Sequence, residues 1–247
     1  MIKVLSKTLA VLEALAIASP YPRRISELAE EFGINAATCA RILRELVDAG
    51  YAVQISRQDG YAAGPRAWTF ACQIRYRERL IHAAAPIIEQ TAREMEASVL
   101  LTERQGTERY ILLHENRCRK LDIQLEQLSY RDLFSTATGL MLTACAPAEE
   151  QEELIAAYSG ETGLLLEESH LREQLNAIRR ARECSFRKND QGIAAYPIFR
   201  NRTPVAVLGG SVAVEDFVDP YRGKFLAALR HAAEIISKSI SITNTIG

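Results

Sequence analysis

The sequence has no Cys-x-x-Cys pair, and its five cysteines, Cys39, Cys72, Cys118, Cys145 and Cys184, are scattered and odd in number. That pattern argues against a disulfide framework or a thiol-rich metal site and fits a reduced, cytoplasmic protein. No apolar run approaches the ~20 residues of a membrane span. The uncharged stretch Leu133 to Ala148 is interrupted by Ser, Thr, Gly and Pro. There is no internal repeat and no low-complexity segment. Nor is there an acid, base and nucleophile set at recognisable spacing, so the sequence offers no catalytic residues, no metal ligands and no cofactor.

What is present is an ordinary globular composition, 48% hydrophobic and 25% charged, in a 247-residue chain long enough for two domains. The formal net charge is −1, so the whole is not a polycation. The charge is unevenly spread, however. Residues 1–80 carry 11 Lys/Arg against 8 Asp/Glu, and the rest carry 19 against 23. An anionic partner near the N-terminus fits that asymmetry. The opening "MIKVLSKTLAVLEALAIASP" has the lysines and apolar stretch of a signal peptide, but Glu13 interrupts it. Leu5, Leu9, Leu12 and Leu15/Ala16 fall at helical spacing, which favours an amphipathic helix over about 6–18.

A helix-turn-helix pattern follows. Ser26 is placed to cap "ELAEEF", Ala29 is small where two helices cross, Gly33 suits the positive φ of a turn, and Ile34 plugs the core behind it. Asn35 is expected to cap a second helix over 36–49, with Cys39, Ile42/Leu43, Leu46 and Val47 inward. Ala36, Ala37, Thr38, Ala40, Arg41 and Arg44 then face outward. Small residues at its start let the backbone approach base edges, Thr38 suits a base or methyl contact, and Arg41 and Arg44 suit guanine or phosphate. "YAVQI", the turn "SRQDG" and "YAA" read as a hairpin, because Asp-Gly is a strong turn signal. The hairpin makes this a winged unit, with Arg57 in the wing and Arg23 and Arg24 ahead of the motif as phosphate contacts. A bare three-helix packing unit with solvated arginines is the bland alternative.

Beyond Pro65, "RAWTFACQIRYRERLIHAAA" reads as one long linking helix. Pro86 is expected to break it or to sit at the first position of a second helix ending near Ala97. "SVLLTERQGTERYILLHE" reads as two strands about Gln105-Gly106. "TATGLMLTACA", "AEEQEELIAAY" and "HLREQLNAIRRARE" read as helices. "IAAYPIF" and "PVAVLGGSVAV" are buried strands joined through Asn201-Arg202, and "YRGKFLAALRHAAEIISKSISI" is a C-terminal helix. An antiparallel sheet with helices on its faces follows, so the fold class is α+β. The expected domains are 1–65, a winged helix-turn-helix; 66–84, a linker helix; and 85–247, a domain of sheet and helices.

The ordered combination resembles the IclR family of bacterial transcription regulators over almost the whole chain. "ARILRELVDAGY" and "YAAG" are similar to the family's recognition helix and wing end. "RDLFSTATGLMLTACAP", "AAYPIF" and "PVAVLGGSVAV" are similar to segments of its second domain. The resemblance implies binding of double-stranded operator DNA, a GAF-like domain that senses a small molecule, and homodimers or homotetramers. It also implies departures. Leu140 stands where family members usually have Lys, Gly209 where they have the first serine of a Ser-x-Ser pair, and Ile193 where they have a polar or cysteine residue. Arg187 and Lys188 replace acidic residues.

The effector pocket is expected between the sheet and "STATG". Ser135, Thr136, Ala137, Thr138 and Gly139 form a helix start suited to an anion. Ser211 adds a hydroxyl, with Gly209 and Ile193 nearby. Arg187, if it turns inward, pairs with a carboxylate, an exposed arginine being the ordinary reading. A small organic acid is the expected effector. Control of a catabolic operon is the expected role, and an enzyme or stand-alone sensor with a helical interaction module is the alternative. Four other features have structural readings: His114 and Cys118 four apart, Cys145 in an apolar helix, Gly209-Gly210 allowing close packing, and Arg179–Arg182 as a helix face.

Overall fold

Helical periodicity dominates the first third of the chain and period-two alternation the middle, and the architecture changes with them. A computed structural model describes residues 3–162 and 168–241. It divides into two compact units, residues 1–76 with 125–128, and residues 77–124 with 129–247. Ile242, expected as the last residue of the C-terminal helix, lies outside the described residues.

In the first unit, α1 (Lys3–Ile17), α2 (Ile25–Glu31) and α3 (Ala36–Asp48) pack around Val11, Leu15, Leu28, Cys39, Leu43 and Leu46. The wing is β1 (Ala52–Ser56) and β2 (Gly60–Ala63), paired antiparallel. Gly60 has φ +101°, and an added Cβ would lie 2.2 Å from the Arg23 carbonyl oxygen. That closeness lets Arg23 pair with Tyr61 through both backbone hydrogen bonds, at 2.7 and 2.8 Å, which ties the wing to the segment before α2. α4 (Pro65–Gln73) follows with no buried residue.

The single long linking helix is a correction. The chain is extended at Ile74 and left-handed at Arg77, and α5 (Glu78–Glu94) begins there and runs through Pro86. Proline normally disrupts a helix because it lacks an N–H and crowds the preceding turn. Here the stripe Leu80, Ala84, Ile88 and Ala92 is buried on both sides of it, and that burial holds the helix together. α4 has no such stripe, so nothing carries its periodicity across 74–77.

The second unit is built on a six-stranded antiparallel sheet in the order β5-β4-β3-β8-β7-β6. The strands are β3 (Ser98–Gln105), β4 (Glu108–Asn116), β5 (Ser129–Tyr130), β6 (Cys184–Lys188), β7 (Gln191–Arg200) and β8 (Thr203–Ala213). Gly106 at φ +60°, and Asn201 and Arg202 at +49° and +70°, make the tight turns that "QG" and "NR" imply. On one face lie α5 and α9 (Tyr221–Ser241), packed on Val99, Leu101, Tyr196, Ile198 and Leu208. On the other lie α6 (Ala137–Ala144), α7 (Ala148–Thr162) and α8 (Glu168–Ala181), around Met141, Ile155, Leu175, Ala195 and Val207. Every residue of α6 is buried, and the sheet-to-α6 seam is where the cavity described below lies.

Candidate functional sites: a helix face and a cavity

The first site is the outer face of α3. Asn35 caps the helix, its side chain accepting from the Thr38 N–H at 2.7 Å. Gly33 has φ +57° and leaves Ile34 to bond its N–H to the Ala29 carbonyl at 2.9 Å, which locks the turn between the helices. Ala36, Ala37, Arg41 and Arg44 are exposed and Thr38 is half-buried, while Cys39, Ile42, Leu43 and Leu46 face the core. Arg57 is exposed in the wing turn, and Arg24 is exposed before α2.

Two details differ from expectation. Ser26 lies inside α2; the residue at the cap is Arg24, whose N–H donates to the Glu27 carboxylate at 3.0 Å. Arg23 is half-buried and engaged by Glu27 and, at 2.7 Å, by Glu31. Its guanidinium and backbone brace the wing against α2, so a phosphate would have to compete with two carboxylates.

The second site is a cavity of about 310 Å³ between the sheet and the start of α6. The register explains it. Ser98, Ser211 and Ile193 sit side by side across β3, β8 and β7, and Leu100 is paired with Gly209 in the next row. An added Cβ on Gly209 would lie 2.3 Å from Thr138 Cγ2, so glycine here is what allows α6 to approach the sheet. Thr136 caps α6, accepting from the Gly139 N–H at 3.1 Å. Of the expected pocket residues, Thr136, Ala137, Thr138, Ile193, Gly209 and Ser211 line this cavity.

Ser135, Gly139 and Arg187 do not. The Ser135 N–H and hydroxyl turn back to the Asp132 carbonyl, and its own carbonyl accepts from Lys188 Nζ at 2.6 Å. Gly139 is buried against the backbone of Leu133, where an added Cβ would come within 2.6 Å of Cα. Arg187 is exposed and donates to the Phe217 carbonyl at 2.8 Å. Strand alternation decides the matter: Cys184 and Phe186 face α6, so Lys188 also faces that side and Arg187 the other. Leu140, in the family's lysine position, is core beside Leu175 and Ile178.

Sequence reasoning missed five polar residues of the wall: Ser98, Arg109, Lys188, Asn189 and Gln191. Lys188 could have been found from the period-two pattern of β6. Ser98 is buried and its hydroxyl lies 2.8 Å from His114 Nε2; burial holds that imidazole below its ordinary pKa. Arg109 on β4 is buried and bidentate with Asp132, at 2.8 and 2.5 Å. Nothing in "GTERY" distinguishes its arginine from a solvated one. Among the described residues the cavity wall carries these two cations, Arg109 and Lys188, and no carboxylate.

The remaining candidates are structural. Burial pushes the Cys145 thiol up to about 11, which leaves it protonated and poorly nucleophilic. Arg179 donates to the Ala144 and Ala146 carbonyls and closes the C-terminal end of α6. No group of three or more potential metal ligands occurs among the described residues.

An exposed recognition-type helix with a wing, joined in one chain to a sheet domain enclosing a small polar cavity, defines a ligand-sensing DNA-binding regulator. The comparisons make the assignment specific. Residues 4–56 match the IclR helix-turn-helix domain, and residues 73–238 match the model described as bacterial transcriptional regulator IclR C-terminal. The chain belongs to the IclR family of bacterial transcriptional regulators. Similar solved structures include an IclR homologue from Microbacterium hydrocarbonoxydans complexed with 4-hydroxybenzoate, 20% identical, with a TM-score of 0.74 over 96% of this chain and 98% of that one. An IclR regulator from Alicyclobacillus acidocaldarius is 16% identical, with a TM-score of 0.74 over 97% and 99%. Thermotoga maritima IclR is 18% identical, with a TM-score of 0.70 over 98% and 100%. Among curated proteins, none matches the chain significantly.

Proposed function

We propose that this regulator senses a small organic acid in the cavity beside α6 and converts its binding into altered affinity of α3 for operator DNA, controlling a catabolic operon. The carrying observation is a wall, among the described residues, with Lys188 and the Asp132-paired Arg109 and with no carboxylate of its own. A cavity of that sign favours an anion, and the N-terminal N–H groups of α6 add to the field. The apolar remainder, Leu100, Ile123 and Ile193, suits a hydrocarbon or aromatic body. The 4-hydroxybenzoate bound by the Microbacterium homologue is an acid of this kind. In this reading Ser98, held by His114, contacts effector and performs no turnover, so the protein is a cytoplasmic sensor rather than an enzyme. DNA contacts come from Ala36, Ala37, Thr38, Arg41 and Arg44 on α3, with Arg57 of the wing and Arg24 on phosphates. The protein acts as a homo-oligomer.

A mobility shift with salt titration, repeated with a library of small acids, tests this. Binding that weakens as salt rises is expected. An acid at 100 times its Kd should stabilise the protein by about 2.7 kcal/mol. If only neutral or cationic compounds act, the organic-acid reading is wrong; if no DNA is bound, the regulatory one is.

A further inference from the structure

The buried guanidinium of Arg109 is incompletely used. Nε and Nη2 both donate to the Asp132 carboxylate, and the side chain is only 7% exposed. Nη1 is buried and has no hydrogen-bond partner. A charged donor left unsatisfied in the interior is costly, and native proteins rarely leave one without a ligand, a water or a function. Arg109 also lines the cavity. Resting on the reading of that cavity as the effector site, we propose that Arg109 is its carboxylate-reading residue, with Nη1 meeting one oxygen of the effector's carboxylate.

Asp132 makes this a fixed reader. Its carboxylate holds the fork in one plane, and its backbone carbonyl accepts from the Ser135 N–H at 3.1 Å and the Thr136 hydroxyl at 3.3 Å. The guanidinium is therefore clamped to the turn that starts α6, which also supplies Thr136, Ala137 and Thr138 to the wall. The Tyr130 ring lies under it, 5.1 Å from Cζ, and limits its swing. The charges also balance. Arg109 with Asp132 is neutral, so a lone added carboxylate would be poorly compensated. Lys188, held beside the same turn by the Ser135 carbonyl, supplies the missing positive charge. The ligand class that follows is a carboxylic acid, ionised, with its apolar body on Leu100, Ile123 and Ile193. Neither a neutral amide nor an amine offers Nη1 a charged acceptor.

The test pairs carboxylic acids with their own primary amides, from acetate and acetamide to benzoate and benzamide and their hydroxylated forms. Binding is read by calorimetry and thermal shift on the full chain. In the wild type, at least one acid should bind about tenfold or more tightly than its amide, because charge-assisted hydrogen bonds are the stronger ones. Arg109→Gln should remove that preference, lowering acid affinity about tenfold more than amide affinity. Should Arg109→Gln not fold, Arg109→Lys keeps the cation without the fork and should weaken the acid alone. No stabilising acid in the set, or an acid preference intact in both variants, overturns the proposal. Ile193→Phe, which fills the cavity, separates this from failure of the site itself. If Ile193→Phe abolishes binding but the acid preference does not depend on Arg109, the effector site stands and its reader is another group. If Ile193→Phe leaves binding untouched, the ligand sits elsewhere and both readings fall.

Discussion

At the scale of single residues, Gly209 in the cavity wall and His114, hydrogen-bonded to the wall residue Ser98, each have a measurable consequence. The contact that an added Cβ would make with Thr138 Cγ2, 2.3 Å, is far inside van der Waals distance. Gly209→Ala is therefore expected to destabilise the protein by about 1–3 kcal/mol through overpacking. Thr138→Ser removes the offending methyl, so the double variant should recover most of that loss in urea denaturation. A Gly209→Ala protein as stable as the wild type would show that α6 is not seated as described. His114 titrates below its ordinary value because it is buried. The sign follows from linkage: the unfolded chain takes up the proton first, so stability falls as pH drops below about 6.5 and levels off below the folded pKa. His114→Gln should flatten that part of the stability–pH curve, and an unchanged curve would assign the dependence to other groups.

At the scale of elements, α3 is the best-supported prediction from sequence, because cap, periodicity and terminator agree. Asn35→Ala removes the side chain that accepts from Thr38 and should cost about 0.5–2 kcal/mol of stability. Arg41→Ala, on the exposed face, should leave folding intact and weaken operator binding by about 1–3 kcal/mol if that arginine reads a base. Equal affinity in a mobility shift would remove it from the interface. The hairpins were equally legible, since Asp59-Gly60, Gln105-Gly106 and Asn201-Arg202 carry their turn chemistry in the sequence. Other features were not. The break at 74–77 has no proline or glycine to mark it, whereas Pro86 marks a break that burial of α5 overrides. The cap of α2 by Glu27 was hidden behind the more ordinary Ser26. In the cavity, small residues and hydroxyls of α6 and β8 were visible as motifs, but the cations were not. Arg109 becomes a wall residue only because Asp132, 23 positions away, holds it there. Lys188 rather than Arg187 faces α6 because of where the alternation of β6 begins.

At the scale of the molecule, the question is what covers the apolar surface of the first unit. In α1 the core takes Val11, Ala14 and Leu15, and leaves Leu5 and Leu9 55% and 50% exposed. In α4, Trp68 and Phe70 are 75% and 58% exposed and no residue is buried, and Ile74 just beyond the helix is 52% exposed. Single exposed apolar residues are unremarkable, but a helix with exposed Trp68 and Phe70 and no buried residue invites a partner. One helix-turn-helix reads one half-site, and paired half-sites are read by symmetric pairs of protomers. The expected outcome is a homodimer that joins α1 and α4 of two protomers, with a further association of the second units giving a tetramer. Sedimentation at micromolar concentration should show no stable monomer in the wild type. Trp68→Glu puts a charge on the most exposed apolar side chain of α4 without touching the core, so it should shift the distribution toward monomer while leaving the secondary structure unchanged. Because two weakly bound halves engage DNA together far more tightly than one, the same variant should also lose operator affinity, and more steeply at low protein concentration. A wild type that sediments as a monomer would sink the dimer. So would a Trp68→Glu variant, paired with an equally charged Leu9→Glu variant, that keeps both its oligomeric state and its DNA affinity, leaving the exposed face of α4 to some other partner.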